Sequence, residues 1–268
     1  MADPALAELR QTAKTYAPDA YITALLAPPA HQPALLALAA FLGDVERITT
    51  VLSEPAVAEI RLQWWRDALS NAAKSPVTGH PGADALIAAY QDNHLPFDEF
   101  DTFLDARALD LYADPFLDEA ALHAYLNKTE GAAFRLMARC LGNHFPKQSP
   151  LIATTTLAYG LTRAITRMPL FLSRGRAPFP DLDPNDQHAL RVEIAARTAQ
   201  ARQALATSRR HWSNALKADR SACLSLALVE PYLAAANRSG HDPVRALTRV
   251  EPLSRMWRLW QANALGRV

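Results

Sequence analysis

Apolar residues recur at three- and four-residue intervals along most of this chain, and stretches in which they alternate with polar residues are missing. A chain patterned this way buries its side chains along helical stripes, so strands have almost no support. Only nine glycines interrupt the pattern, and the nineteen prolines sit mainly between helical stretches, where they act as punctuation. Between Pro33 and Leu52, residues Leu35, Leu38, Leu42, Val45 and Leu52 fall at helical spacing, with Ile48 alongside. Ser53 is a candidate cap for the next helix, which tolerates Pro55 in its first turn and carries Val57, Ile60, Trp64 and Ala68 on its apolar face. Further helices are expected over 83–91, 97–112, 118–141, 150–172 and 185–216. Two more close the chain, separated at Asn237–Gly240, with Asp242 as the next cap. Connections are short and no repeat is visible, so the expectation is one all-α domain spanning 1–268, with its core over about 20–264.

Hydrophobic residues make up 50% of the chain, ample for a sizeable core. Lys and Arg number 28 against 27 Asp and Glu, a net charge of +1 that lacks the basic excess of a nucleic-acid binder. The charge is uneven: residues 92–119 are acidic, whereas 191–267 are dominated by arginine. Cys140 and Cys223 lie inside apolar helical patterns and read as buried free thiols rather than a disulfide framework. The first twenty residues lack the charged and apolar regions of a signal peptide, and no run approaches the roughly 20 apolar residues of a membrane span. A cytoplasmic protein is expected, or one held peripherally at the inner face of a membrane.

Asp101 and Asp105 stand one helical turn apart, a spacing at which paired carboxylates can hold magnesium. Their neighbours Phe97, Phe100 and Leu104 form the core-facing stripe, and a solvated acidic face accounts for the aspartates more simply. The eight histidines are scattered, with no zinc spacing, no nucleophile elbow and no phosphate-binding glycine loop.

A more specific pattern begins at Leu38-Ala39-Ala40-Phe41, which leads into the segment from Gly43 to Thr50 (GDVERITT). It continues with Tyr125-Leu126-Asn127-Lys128-Thr129-Glu130-Gly131, then LMARCLG over 136–142, and Ala158-Tyr159-Gly160-Leu161-Thr162-Arg163. It ends on Ser173-Arg174-Gly175-Arg176-Ala177-Pro178-Phe179-Pro180. In this order and spacing the blocks resemble the squalene/phytoene synthase family, from about Leu35 to the C-terminal helix. The resemblance implies an all-α, isoprenoid-synthase-like bundle around a central cavity. It also implies two aspartate-rich motifs on facing helices that hold magnesium, which binds and ionises a prenyl diphosphate. This chain departs from both motifs. Glu46, Arg47 and Thr50 stand where the first would place its acids, and Arg163, Arg167, Leu170 and Phe171 where the second would. Asp44 is out of register by two residues and so points to another side of its helix. Without the acids no magnesium is expected, and prenyl condensation by the usual route is not.

The eroded motifs are similar to a branch of the family that serves as an assembly factor for respiratory complex I. The Tyr125–Thr129 block, the Thr166–Pro169 element and the Arg61-x-Gln63-x-Trp65 helix suit that branch. The resemblance implies a non-catalytic helper whose partners are membrane subunits of a respiratory complex, with an isoprenoid or other anionic lipid as a candidate ligand and no nucleic acid. The rival is an active prenyl transferase on farnesyl or geranylgeranyl diphosphate that recruits Asp101, Asp105 or Asp110 and needs magnesium.

The family geometry would set Glu46 and Arg47 across a cavity mouth from Arg163 and Arg167. One reading is a salt bridge from Glu46 to Arg167 that seals the former metal site, since a buried arginine needs a carboxylate. The other is direct capture of an anionic head group by Arg163, Arg167 and Arg47, because guanidinium matches phosphate with paired donors. Phe41, Tyr159, Thr162 and Thr166 are candidate cavity residues, or packing between helices. Arg174 and Arg176 are either a basic lip over the cavity or charges that complement a helix C-terminus. The last helix, Leu253 to Leu265, carries Leu253, Met256, Trp257 and Trp260 among Arg255, Arg258 and Arg267. It reads either as a terminal helix docked on the bundle with its charges in water, which the usual burial of tryptophan favours, or as a membrane-interface element.

Overall fold

The computed structural model describes residues 4–268 apart from 53, 75 and 76, together with the side chains of all these except 4–6 and 9; every regular element among them is helical. The first half comprises α1 (Pro4–Tyr16), α2 (Pro18–Leu26), α3 (Gln32–Val51), α4 (Pro55–Ser70), α5 (Pro81–Asp92) and α6 (Phe97–Ala108). The second comprises α7 (Glu119–Leu126), α8 (Ala132–Cys140), α9 (Pro150–Thr166), α10 (Met168–Leu172), α11 (Gln187–Trp212), α12 (Lys217–Ala222), α13 (Val229–Ala236) and α14 (Pro252–Leu265). Proline opens α2 to α5, α9 and α14 in the first turn, where its missing N–H costs nothing. Asp118, Ser149 and Asp186 cap α7, α9 and α11 with side-chain oxygens. The expected cap at Ser53 lies outside the described residues.

Helix α3 is the central strut, packed between α1, α2 and α5, while α9 and α11 lie along one another. Its Leu35, Leu38, Val45 and Ile48 are all buried, as their spacing predicts. α1, which precedes the expected core, closes tightly on α3. A Cβ added at Gly43 would sit 2.9 Å from the Thr12 carbonyl oxygen. Gly43→Ala should therefore destabilise the fold: overpacking costs about 1–3 kcal/mol, against about 1 kcal/mol gained from alanine's helix propensity. A melting temperature a few degrees lower is expected; a rise would mean that α1 does not hold this position.

Four details differ from the sequence expectation. The stretch 118–141 is not one uniform helix, because a π-turn over Asn127–Gly131 joins α7 to α8. The stretch 150–172 breaks at Arg167, since Pro169 brings no N–H and its ring crowds the preceding turn. Asp242 caps only a turn, donated to by the Val244 N–H at 3.0 Å, and the next helix waits until Pro252. The buried face of α4 is Ala58, Leu62, Trp65 and Leu69, whereas Val57, Ile60 and Trp64 are exposed. Trp65 decides that rotation: its ring meets Phe41 edge-on at 5.1 Å, and its Nε1–H donates to Asp44 Oδ2 at 2.9 Å.

The last helix also turns its tryptophans outward. α14 docks on the bundle with Arg258 and Arg267 in water, but it does so through Leu259 and Ala262 and not through its tryptophans, since Trp257 and Trp260 are 56% and 42% exposed. Cys140 and Cys223 are buried free thiols, and burial pushes Cys140 up to about 12. No helix among the described residues is long and apolar enough to cross a membrane.

Candidate functional site

Glu46 lies near the C-terminal end of α3, 6% exposed, where an ionised carboxylate needs partners. Three arginines supply them. Its Oε2 accepts from Arg107 of α6 at 2.8 Å, from Arg163 of α9 at 3.0 Å and from Arg167, at the α9–α10 corner, at 2.7 Å. The Arg167 guanidinium also contacts Oε1. Breaking the helix at Arg167 is what lets this side chain turn back onto Glu46 beside Arg163.

The three cations are not equally compensated. Arg107 has a second acid in Asp110, 2.9 Å away, and donates to the Tyr125 hydroxyl at 3.1 Å. Tyr125 in turn donates to Asp110 at 2.8 Å. Arg163 has a second acid in Glu130, which the π-turn carries to 2.9 Å from Nε. Arg167 has no second acid among the described residues. Burial lowers the Arg107 guanidinium, but Asp110 and Tyr125 more than restore it, and Glu130 and Tyr159 do the same for Arg163. For Arg167 burial prevails and holds it down at about 10, still charged at neutral pH. Arg107 and Arg163 each have an acid besides Glu46, so Glu46 is the carboxylate on which Arg167 depends.

Two spaces meet at this cluster. The inner one, between α2, α3, α6, α8 and α9, has a volume of about 60 Å³ and is lined in part by Phe103, Phe134 and Met137. It admits a few waters, well short of the ~300 Å³ at which small-molecule pockets begin. The outer one is a cleft of about 790 Å³ that carries Arg163 and Arg167 together with Lys14, Arg249 and Arg255. Tyr16, Asp19, Glu46, Tyr159 and Arg163 border both. Asp19 closes the partition: it accepts from Tyr159 at 2.7 Å and Tyr232 at 3.1 Å, and Arg255 Nε lies 2.9 Å away. Burial, and then the Asp19 charge, push the Tyr159 phenol well above its ordinary range. Arg255 is thereby matched, whereas Lys14 and Arg249 are exposed on the cleft and make no ion pair.

The structure thus brings together Glu46, Arg163 and Arg167, with Tyr159 and Thr166 beside them. Other sequence candidates lie elsewhere. Arg47 turns away and pairs with Asp44 at 2.6 Å, one helical step removed from the cluster. Phe41 is fully buried among Trp65, Phe100 and Phe103 and borders neither space. Thr162 is fully buried and donates to its own helix, to the Ala158 carbonyl at 2.7 Å. Arg176 is no exposed lip: it is 3% exposed, stacks on Phe116 at 4.2 Å and donates to the Leu109 carbonyl. Arg174 donates to the Asp110 and Leu52 carbonyls. These two arginines donate to carbonyls just past the C-terminal ends of α3 and α6, not of the helix they follow.

Sequence reasoning missed Arg107, Glu130 and Asp19. A signal for Arg107 existed, because Phe100, Phe103, Leu104 and Arg107 form one i, i+3, i+4, i+7 face. A basic residue on the core-facing stripe of an acidic helix asks for a buried partner.

Magnesium, which the family resemblance implies, does not fit these residues. It requires hard oxygen donors with free lone pairs. Glu46 is taken by three guanidiniums, Asp110 by Arg107 and Tyr125, and no group of three or more Asp, Glu, His or Cys is gathered among the described residues. Asp101 is half-buried and Asp105 exposed; both pair with Arg66, and neither lines either space.

The model of the squalene/phytoene synthase family matches residues 13–258. Among solved structures, the crystal structure of squalene synthase HpnC from Alicyclobacillus acidocaldarius is similar in fold, with a TM-score of 0.71. The identity is 19%, and the match covers 88% of this chain and 94% of that one. No curated protein matches the chain in sequence.

Proposed function

The chain belongs to the squalene/phytoene synthase family, and from that premise we propose that it is a non-catalytic accessory factor whose cleft holds a phosphate-bearing amphiphile without a metal ion. The observation that carries this reading is the triple engagement of Glu46 by Arg107, Arg163 and Arg167. Where prenyl transfer needs carboxylates to bind a cation, the cations here are covalent parts of the protein. Guanidinium binds phosphate oxygens through paired, charge-assisted hydrogen bonds. Lys14 and Arg249 give the cleft positive charge beside the Glu46-bound Arg163 and Arg167, and Leu170, Leu247 and Val250 give it an apolar wall. The narrow inner space leaves a prenyl or acyl chain to lie in the outer cleft.

The accessory role rests on the resemblance of Tyr125–Thr129, Thr166–Pro169 and Arg61–Trp65 to the complex I assembly branch, which makes membrane subunits of a respiratory complex the proposed partners. The rival, prenyl transfer of the kind named for the HpnC structure, draws on the shared fold. It would have to free Glu46 or Asp110 from their arginines.

Calorimetric titration with farnesyl diphosphate in excess chelator tests the ligand reading. Binding is expected without magnesium and should weaken about 100-fold or more in the Arg163→Ala/Arg167→Ala variant, since two charge-assisted bonds are lost. Arg107 remains in that variant to hold Glu46. Binding that requires magnesium, or that survives the double substitution unchanged, would overturn it.

A further inference from the structure

An apolar stripe on α14 faces away from the bundle. Leu253, Met256, Trp257 and Trp260 fall at i, i+3, i+4 and i+7, and all four are between 42% and 77% exposed. Trp257 and Trp260 stack on each other at 5.1 Å between ring centroids, forming a continuous indole surface. The bundle does not need them, because α14 is anchored by Leu259 and Ala262 on its other side. Four adjacent large apolar side chains in water, rather than one, mark a surface meant to be covered.

Charge identifies the cover. From Pro252 to Val268 the chain has Arg255, Arg258 and Arg267 and no acidic side chain. Beside α14 a groove of about 390 Å³ gathers Arg209, Arg258 and Arg267; Arg209 donates to the Val268 oxygen at 2.7 Å, and the groove's acidic side chain, Glu230, is already held by Arg202 at 2.7 Å. Arg258 and Arg267 are exposed and form no ion pair among the described residues. Indole rings flanked by uncompensated arginines match the boundary of an anionic bilayer, with the rings among the upper acyl carbons and the guanidiniums at the head groups. The segment 247–252, which walls the cleft, runs directly into this helix. We propose that α14 is the membrane-docking face of the protein, and that it binds the surface of an anionic bilayer. This goes beyond the reading of the cleft and does not depend on it.

Flotation of the full chain with vesicles tests the docking face, using phosphatidylcholine alone and a mixture containing 30% phosphatidylglycerol. The wild type should float with the anionic vesicles and much less with the neutral ones, and binding should fall as salt rises. Trp257→Ala/Trp260→Ala should weaken anionic-vesicle binding by about tenfold or more, while Trp64→Ala, an exposed tryptophan on α4, leaves it unchanged. Both Trp variants remove exposed rings, and circular dichroism checks that each is folded. A wild type that stays with neither vesicle, or a double variant that floats as well as the wild type, would overturn the proposal. So would a wild type that ignores vesicles but self-associates through Trp257 and Trp260, which would make the face a protein interface.

Discussion

Glu46→Gln should lower the melting temperature by about 10 °C, a larger loss than a single surface substitution produces. Removing one partner of a buried ion pair typically costs about 3–5 kcal/mol, because the other charge stays behind. Here three guanidiniums stay behind. Asp110 and Glu130 still hold Arg107 and Arg163, so the uncompensated charge falls on Arg167. Arg163 and Arg167 are about a quarter exposed at their side chains, 25% and 21%, so water recovers part of the loss. The lower end of the range, about 3 kcal/mol, is therefore expected, and in a chain of this size each kcal/mol moves the midpoint by about 2–4 °C. Asp101→Asn is the control: its pair with Arg66 is partly open to water and Arg66 keeps Asp105, so the loss should be about 1 kcal/mol or less. Glu46→Gln should also make the protein more responsive to inorganic diphosphate, since an external anion can replace the lost carboxylate. A variant that melts with the wild type and ignores diphosphate would mean that Glu46 does not anchor the cluster.

Much of the fold is written in periodicity, and the exceptions have physical causes. The stripe of α6 is unambiguous because one face is apolar and the other polar, and α3 is apolar all round from Ala34 to Leu42, as a central buried helix must be. On α4 two apolar stripes compete, Val57-Ile60-Trp64 and Ala58-Leu62-Trp65, and periodicity alone cannot choose between them. The choice falls to a hydrogen bond from Trp65 to Asp44, twenty-one residues earlier in the chain. The π-turn at Asn127–Gly131 leaves no composition signature, since its residues suit an ordinary helix turn. The outward tryptophans of α14 run against the general tendency of tryptophan to be buried, because Leu259 and Ala262 already satisfy the bundle.

The candidate site was half legible. Glu46, Arg163 and Arg167 stand out because they replace acids that the family pattern leads one to expect. Their compensation was not, because Arg107 with Asp110, Glu130 and Asp19 come from three separate segments that only the folded chain brings together. Arg47 shows the opposite failure: adjacent to Glu46 in sequence, it is turned by one helical step onto Asp44.

The same arrangement predicts that the purified protein does not release diphosphate from farnesyl or geranylgeranyl diphosphate in the presence of magnesium. Magnesium, when held by carboxylates, neutralises the charge that builds up on a departing diphosphate. No carboxylate of the cluster is free to hold it, and displacing an arginine from Glu46 would strand a buried charge. The guanidiniums can bind the same group, but binding the ground state and the transition state equally gives no rate. The measurement is direct: incubate the full chain with each prenyl diphosphate and magnesium, and follow released diphosphate and prenyl products over time. Release at the rate of a protein-free control, alongside binding that persists in chelator, is the outcome predicted here. Magnesium-dependent release that scales with protein concentration would contradict it, and would mean that the arginine cluster opens to form a working metal site.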